Sequence, residues 1–253
     1  MFTGLIETTG TVLALKPIPG GAMRLIIAAP ELAGRWKIGD SIAVNGVCLT
    51  ALDLMETDEL HPGRFAADLA EETIRRTTLT QLVPGSLVNL ELPTPSGAPM
   101  GGHVVQGHVD GTGRLIALRP LSSDMDRTDW RMTIALPDEL AVNVIQQGSV
   151  TIDGISLTVA AMRGNEIEIA VIPHTYQATN LRSLLSGAMV NIETDVLSRY
   201  AAKQLAARAN ASNPLAAPPR PVLVTAASLL EAHEAARPPE DWLTPQYLIS
   251  NGY

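Results

Sequence analysis

Residues 41–50 read SIAVNGVCLT, and residues 149–158 repeat the pattern as SVTIDGISLT. Two further pairs of stretches match in the same way: residues 3–15 with 106–118, and residues 72–91 with 174–193. The three offsets are 108, 103 and 102, so the two copies differ only by short changes in their loops. The sequence therefore contains an internal duplication of about a hundred residues, which is the size of one small domain.

Each copy has the pattern of short strands joined by tight turns, because runs of Val, Ile, Leu and Thr recur between Gly, Pro, Asn and Asp. Asn45-Gly46 and Asp153-Gly154 predict type I′ hairpins, since both residues of that turn need positive φ. Six short strands in about ninety residues favour a small closed barrel, which has no exposed sheet edge. The expected strands are residues 4–15, 23–28, 41–45, 47–54, 64–69 and 86–91, then 104–118, 131–136, 149–153, 155–161, 166–172 and 189–194.

Helices are expected at a few places only. Residues 71–77, 179–184 and the start at 137–140 predict short turns, and residues 197–209 predict a longer helix. Leu197, Tyr200, Ala201, Leu205 and Ala209 fall on one face of that helix. The pattern leaves open whether this face packs on its own barrel or contacts another subunit. The expected divisions are a first barrel (1–97), a second barrel (98–196), an oligomerisation helix (197–209) and a tail of unknown role (210–253).

Composition excludes several classes of protein. The net charge is −8 and no basic run occurs, so the footprint of a nucleic-acid-binding protein is absent. The single cysteine, Cys48, excludes an internal disulfide and fits a reducing compartment. No apolar stretch approaches the roughly 18 residues of a membrane span. The opening MFTGLIETTG has no basic segment before an apolar one, as a secretory signal would. A cytoplasmic protein is expected.

Four stretches carry a family resemblance. They are the opening MFTGLIE, the block GDSIAVNGVCLT at 39–50, the run GGHVVQGHVDGTG at 101–113, and IDGISLTV at 152–159. Together they resemble the riboflavin synthase family over about residues 1–200. The resemblance implies an all-β fold of two tandem six-stranded Greek-key barrels from an internal duplication, plus a C-terminal helix that assembles a homotrimer. It places the active site between the N-terminal barrel of one subunit and the C-terminal barrel of its neighbour.

The resemblance also implies a reaction. Two molecules of 6,7-dimethyl-8-ribityllumazine exchange a four-carbon unit and give riboflavin and 5-amino-6-ribitylaminopyrimidine-2,4-dione, with no metal or organic cofactor. Lumazine synthase is a candidate partner. The alternative function is that of a non-catalytic lumazine- or flavin-binding antenna protein on the same fold. A third interpretation, a flavin reductase-like barrel, has less support, because no nucleotide-binding βαβ unit with G-x-G-x-x-G follows.

Four residues are candidates for the chemistry. Cys48 is implicated by its family position, and a thiol can act as nucleophile or proton donor where its pKa of about 8.5 is lowered; the alternative is a buried, inert cysteine. His103 and His108 flank VVQG, and a histidine can take the proton that the 7-methyl group must lose. The sequence does not decide between the two histidines. Ser41 is the fourth candidate, with an ordinary strand serine as the alternative.

The pairs Thr50/Thr158 and Cys48/Ser156 match positions where the family contacts the pteridine ring, and Asp68 and Glu71 are candidates for hydrogen bonds to the ribityl chain. The expected substrate-binding residues are Phe2, Gly4, Leu5, Ile6, Leu49, Thr50, Asp68, Leu69, Ala70, Glu71, Glu72, Thr73, Gly107, Val109, Gln147, Asp153, Ser156, Leu157, Thr158, Ala170, Val171, Ile172, Pro173, His174, Thr175 and Asp195.

Three members of this set have alternative interpretations, and a fourth departs from the family pattern. Phe2 is the candidate for stacking on the pteridine, and the alternative is a core anchor. Asp153 and Asp195 match the C-terminal pocket of the family, and the alternative is turn capping. Gln147 stands where the family usually has Lys, and its amide replaces a cation with a hydrogen-bonding group. No metal site is expected, because the H-x₄-H spacing of His103 and His108 lacks a supporting ligand cluster.

Overall fold

The structure is a computed structural model and describes residues 1–52, 63–124 and 127–211. In this part of the chain the strands form two antiparallel six-stranded sheets. The first, the N-barrel, contains β1 (Thr8–Pro17), β2 (Met23–Ala28), β3 (Ser41–Val44), β4 (Val47–Thr50), β5 (Arg64–Leu69) and β6 (Leu87–Glu91). The second, the C-barrel, contains β7 (Gly111–Pro120), β8 (Trp130–Ala135), β9 (Ser149–Ile152), β10 (Ile155–Arg163), β11 (Glu166–Val171) and β12 (Met189–Thr194).

Both barrels have the same topology. The N-barrel has the strand order β4-β3-β6-β1-β2-β5, and the C-barrel is closed with the order β10-β11-β8-β7-β12-β9. Read around the closed barrel from β10 through β9, the second order reproduces the first. The two edge strands of the N-barrel approach each other through a bridge between Leu52 and Ala66. The prediction of two duplicated six-stranded barrels is confirmed.

The helices are short except at the C-terminal end of the described chain. They are α1 (Glu71–Arg76), α2 (Asp138–Ala141), α3 (Pro173–Ala178) and α4 (Val196–Ala211), with 3-10 helices at Pro30–Leu32, Thr78–Gln81 and Asn180–Ser183. The sequence did not predict α3, although Pro173 occupies its first turn and α1 lies at the matching position of the first copy. Beyond α4, the tail expected over 210–253 lies outside the described residues from 212 onward, as do residues 53–54 of the expected strand 47–54.

The large apolar side chains in the first part of α4 do not pack on the chain's own barrels. The exposed fractions of Leu197, Tyr200 and Leu205 are 66%, 64% and 67%. Of the two possibilities that the pattern left open, packing on its own barrel is therefore excluded for these side chains. No helix in the described ranges is long and apolar enough to cross a membrane.

Two expected strands begin later than the sequence predicts. The strand expected from residue 4 begins at Thr8, and the strand expected from residue 104 begins at Gly111. Gly4 and Gly107 have φ angles of 74° and 77°, which interrupt an extended strand. The residues before each first strand leave their own barrel and lie against the other one. We call residues 2–7 the N-crossing segment and residues 105–110 the C-crossing segment.

The crossing segments exchange contacts between the barrels. Val109 lies in the hydrophobic core of the N-barrel, and Ile6 packs against the core of the C-barrel. Where the segments pass each other, Phe2 and Val105 form an antiparallel bridge with N–O distances of 2.8 and 3.2 Å. Because Phe2 and Val105 are related by the offset of 103, the two copies meet at equivalent residues, as on a two-fold axis.

A polar network lies on the same axis. The hairpin turns at 45–46 and 153–154 have positive φ at both residues, as type I′ requires, so that prediction is confirmed. They meet back to back, because a Cβ added at Gly46 would lie 2.6 Å from the nitrogen of Gly154. Around them, Asn89 donates to the Asp153 carbonyl and Asn191 donates to the Asn45 carbonyl, at 2.9 and 2.8 Å. The polar groups at the interface between the barrels are thus paired by hydrogen bonds, and the interface is also closely packed.

Asp153 is the one acid in this network. It is 2% exposed, its Oδ1 accepts the Asn191 N–H, and its Oδ2 accepts the Asn180 amide, both at 2.8 Å. Burial raises the pKa of Asp153 from 3.8 to about 6. A carboxyl whose pKa is higher in the folded state binds more protons there, so its contribution to stability is present at low pH and lost as pH rises.

We therefore expect Asp153→Asn to change the pH dependence of unfolding. From pH 4 to pH 7, the free energy of unfolding of the unsubstituted protein should fall relative to that of the variant by about 2 kcal/mol. Urea unfolding of both proteins at several pH values measures the difference, and groups common to both cancel. Parallel pH profiles would show that Asp153 does not titrate in this range.

Candidate active site

Two clefts occupy equivalent places in the two copies. The N cleft, of about 400 Å³, is lined by Val47, Cys48, Glu72, Thr73, Arg76, Thr77, Gly107, His108, Val109, Asp110 and Arg199. The C cleft, of about 290 Å³, is lined by Gly4, Leu5, Ile6, Ile155, Ser156, His174, Thr175, Ala178 and Thr179. Every residue of the C cleft has its counterpart in the N cleft at one of the three offsets of the duplication. The fold therefore supplies one cleft design twice.

Each cleft is built from both barrels. In the N cleft, β4 supplies Cys48, and its N–H donates to the carbonyl of Gly107 in the C-crossing segment at 2.8 Å. In the C cleft, the N–H of Ser156 on β10 donates to the carbonyl of Gly4 in the N-crossing segment, also at 2.8 Å. One wall of each cleft is a strand and the opposite wall is the segment that arrives from the other copy.

The N cleft holds the thiol of the chain. Cys48 is partly buried and pairs across the hairpin with Ala43, while Ser41 pairs with Thr50 one step along the same strands. Directly paired residues lie on one face of a sheet, so the predicted residues Ser41, Cys48 and Thr50 share a face. His108 lines the same cleft and is exposed. A thiol and an imidazole are therefore present together in the N cleft.

Charged pairs border the thiol. On α1, Glu72 accepts hydrogen bonds from Arg75 and Arg76, and these bonds lower the pKa of Glu72. Asp110 pairs with Arg199 of α4. Both carboxylates are paired with arginines. The N cleft is thus polar along the side formed by α1 and α4.

The C cleft is more apolar and uses the other histidine. Where the N cleft has His108 and Arg76, the C cleft has Leu5 and Ala178. His103 lies beside this cleft, with its Nδ1 2.7 Å from the hydroxyl of Ser156, the counterpart of Cys48. Burial lowers the pKa of His103, so its imidazole is neutral at pH 7 and can exchange a proton with that hydroxyl. The structure therefore separates the two predicted histidines, one to each cleft.

Other expected binding residues are not among those that line the two clefts. Four of them fill the barrel cores, with exposed fractions of 9% or less: Leu49, Leu69, Leu157 and Val171. Six are exposed, on outer strand positions or around the first turns of α1 and α3: Thr50, Ala70, Glu71, Thr158, Ala170 and Ile172. Pro173 is partly buried at the first residue of α3. The matching cleft residues are the next ones along, Glu72 and Thr73 on α1, and His174 and Thr175 on α3.

The carboxylates predicted at binding positions have structural partners. Asp68 forms a two-bond pair with Arg24 on β2, at 2.6 and 2.8 Å, and the hydrogen bonds from Arg24 lower the pKa of Asp68. Asp195 accepts the N–H of Leu197 at the start of α4. Asp153 lies in the buried network between the barrels. In this chain, the capping and network interpretation fits Asp153 and Asp195, and Asp68 lies outside both cleft linings.

Phe2 and Gln147 are also placed away from the clefts. Phe2 is 1% exposed and packs with Ala43, Val105 and Cys48, so almost no ring surface remains for stacking on a pteridine. Its environment is that of a core anchor. Gln147 is exposed with a φ of 65° in the turn before β9, and its counterpart Gly39 has a φ of 88°. The backbone at 147 thus repeats a turn of the first copy.

The sequence reasoning missed several lining residues. Arg76, Asp110 and Arg199 were not singled out, and neither were Val47, Thr77, Ile155, Ala178 and Thr179. The offset of 102 could have found Thr77 and Thr179, because it aligns α1 with α3. Among residues 1–52, 63–124 and 127–211, no group of three or more His, Cys, Asp and Glu side chains is arranged to hold a metal ion.

Gly107 provides a test of the N cleft geometry. A Cβ at Gly107 would lie 2.6 Å from the Cβ of Cys48, so Gly107→Ala should push the C-crossing segment off β4. Gly34→Ala is the matched control, because Gly34 has a φ of 75° and nothing within 4 Å of an added Cβ. Left-handed backbone costs about 1–2 kcal/mol in both variants. We expect Gly107→Ala to lose further stability in urea and to change the rate of Cys48 alkylation. Equal effects of the two substitutions would contradict this geometry.

Comparison with known proteins identifies a matching domain family and several similar relatives. The model of the lumazine binding domain matches residues 3–93 and 106–195. The riboflavin synthase of Mycobacterium bovis is 42% identical over 204 residues, which cover 79% of this chain and 96% of that relative. The riboflavin synthase of Bacillus amyloliquefaciens is 38% identical over 200 residues, covering 79% and 87%.

Solved structures agree on the fold. The crystal structure of LumP complexed with riboflavin has a TM-score of 0.67 at 24% identity and covers 77% of this chain and 99% of that chain. The complex of LumP with 6,7-dimethyl-8-(1'-D-ribityl) lumazine gives a TM-score of 0.65 at 23% identity. Two lumazine binding repeats and the extent of the identity with its relatives show that the chain belongs to the riboflavin synthase family.

Proposed function

We propose that this protein is a riboflavin synthase, a transferase that acts on two molecules of 6,7-dimethyl-8-ribityllumazine. One molecule gives up a four-carbon unit and becomes 5-amino-6-ribitylaminopyrimidine-2,4-dione, while the other gains the unit and becomes riboflavin. The observation that carries the proposal is the pair of clefts with one design and different chemistry, Cys48 in one and Ser156 in the other. A reaction between two copies of one molecule needs two similar sites with unlike roles.

Proximity supplies much of the rate in such a reaction. Effective molarities of about 10⁵–10⁸ M are reached when two reactants are held in a favourable geometry. The rest is proton transfer and addition at C7 of a lumazine. In our proposal, the Cys48 thiol acts as nucleophile or proton donor and His108 moves a proton beside it. His103, held neutral by burial and hydrogen-bonded to Ser156, serves the other cleft.

We propose that the protein is a homotrimer in which the N cleft of one subunit faces the C cleft of its neighbour. The support is the exposed apolar face of α4, formed by Leu197, Tyr200 and Leu205. We also propose a cytoplasmic location, which a chain with a single cysteine fits. Lumazine synthase is the partner that we propose as supplier of the substrate.

The decisive experiment is to mix the protein with 6,7-dimethyl-8-ribityllumazine and follow riboflavin absorbance. Steady formation of riboflavin supports the synthase. Binding of the lumazine without riboflavin formation would instead support the alternative, a non-catalytic antenna protein on the same fold.

Cys48→Ser tests the role of the thiol. The second copy carries Ser156 at the same place, so the fold accepts serine there. We expect turnover to fall by about 10²-fold or more, since positioned proton-transfer groups contribute ~10²–10⁴-fold. Riboflavin binding, measured by fluorescence quenching, should persist because backbone and neighbouring side chains form the cleft. A variant with unchanged kcat would remove Cys48 from the mechanism.

Substitution on α4 tests the assembly. Leu197→Asp and Leu205→Asp should shift the protein toward smaller species in sedimentation, because each buried leucine contributes about 1.5–3 kcal/mol. Lys203→Asp on the same helix is the control and should leave the oligomer intact. If the two leucine variants sediment like the unsubstituted protein, the exposed face of α4 is not the subunit contact.

A further inference from the structure

The first turns of α4 bind the C-crossing segment, which forms one wall of the N cleft. Arg199 forms an ion pair with Asp110, and its Nη2 donates to the Gln106 side chain at 3.1 Å. The second oxygen of Asp110 accepts the N–H and the hydroxyl of Thr194, at 2.9 and 2.8 Å. The side chains of Arg199 and Asp110 are only 32% and 15% exposed. This contact joins α4, the end of β12 and the C-crossing segment.

The contacts of Arg199 with the C-crossing segment affect residues that line the N cleft together with Cys48. Between Gln106 and Asp110 the segment contributes Gly107 and His108 to the N cleft. The carbonyl of Gly107 accepts the Cys48 N–H, so a shift of the segment is transmitted directly to β4. The Glu193 carboxylate accepts hydrogen bonds from the backbone nitrogens of residues 106–108, and Arg199 binds the side chains of Gln106 and Asp110.

The other crossing segment has an equivalent ion pair from a different source. Glu7, the counterpart of Asp110, pairs with Arg35, and it also accepts the N–H of Leu92, the counterpart of Thr194, at 2.9 Å. Arg35 follows the 3-10 helix at Pro30–Leu32 within the N-barrel itself. The pair is more open, with exposed fractions of 52% for Arg35 and 29% for Glu7. The first copy therefore supplies its arginine from inside the barrel, and the second copy supplies it from α4.

We infer that Arg199 is a positioning residue for the N cleft and that Arg35 has the same role for the C cleft. Arg199 fixes Asp110 and Gln106, and through them it sets the place of His108 and Gly107 against Cys48. Loss of Arg199 leaves the mostly buried Asp110 carboxylate without its cation, which favours a shift of the segment that exposes this carboxylate to water. The chemistry of the N cleft thereby depends on the first turns of α4 in the same chain. The effects on turnover and on protection by riboflavin rest on the proposed function, whereas the effect on the Cys48 alkylation rate does not.

The single cysteine gives a local readout in the full chain. We would compare Arg199→Gln, Arg199→Lys and the matched variant Arg35→Gln for the rate of Cys48 alkylation by iodoacetamide, with and without riboflavin, and for kcat and KM. Circular dichroism and urea midpoints establish that each variant is folded. Arg199→Lys keeps a cation and serves if Arg199→Gln does not fold.

We expect Arg199→Gln to change the Cys48 alkylation rate by about threefold or more, since access governs thiol reactivity, and to weaken protection by riboflavin. Its kcat should fall about tenfold, which equals about 1.4 kcal/mol. Arg199→Lys should recover part of both losses. Arg35→Gln should leave Cys48 alkylation at the rate of the unsubstituted protein, because Arg35 acts on the other segment.

Two results would overturn the inference. One is an alkylation rate and kcat of Arg199→Gln that both equal those of the unsubstituted protein. The other is an equal change of Cys48 alkylation in Arg35→Gln, which would show that the ion pairs are not specific to one cleft. If the unsubstituted protein makes no riboflavin while the alkylation rates differ as expected, the proposed function fails and the positioning role of Arg199 stands.

Discussion

Two buried glutamates determine how the barrels are joined. Glu91 at the end of β6 accepts the nitrogens of Thr3 and Gly4 at 2.6 and 3.0 Å, and Glu193 on β12 holds the matching nitrogens of the C-crossing segment. Burial raises the pKa of both glutamates, and the backbone hydrogen bonds oppose that rise. Each carboxylate accepts hydrogen bonds from N–H groups that would pair with a neighbouring strand if the segment continued in its own barrel. These bonds form where the segment turns away from that barrel. Without these acceptors, the segments would carry unpaired buried donors across the interface, at a cost of about 1–3 kcal/mol each.

Because the crossing segments are exchanged, each cleft contains residues from both copies. Because the segments cross, the strand that carries Cys48 is completed by Gly107 from the second copy, and the strand that carries Ser156 is completed by Gly4 from the first. The backbone geometry of the clefts is therefore shared, while the side chains are free to diverge. His108 against Leu5 is an example of such divergence on equivalent backbone. This is how one duplicated domain can present two related sites with different chemistry.

The sequence predicted the features that depend on local chemistry. The duplication, the strand periodicity and the two Gly-containing hairpins identified both barrels, and the offsets aligned the cleft residues in pairs. It did not predict where the first strands begin, because residues 4–7 have strand-like composition and only the contact with the other barrel turns them away. Nor could it place Phe2, Asp68 or Asp153, whose partners are far apart in the sequence. Burial and ion pairing across the fold decide the roles of those residues, and no local pattern records them.

The axis between the barrels shows what fusion of the two copies permits. Asn45 and Thr78 of the first copy correspond to Asp153 and Asn180 of the second, and the Asn180 amide donates to the Asp153 carboxylate at 2.8 Å. The side-chain Oδ1 of Asn180 also accepts a hydrogen bond from the Asn89 side-chain amide at 2.9 Å. Two identical barrels in a symmetric dimer would place the same side chains on both sides of the axis, so a second buried carboxylate would accompany the first and would raise the cost of burying charge. A single chain with two copies can place the acid on one side of the axis and neutral groups on the other, which keeps the network around the hairpin turns paired with one buried carboxylate, Asp153.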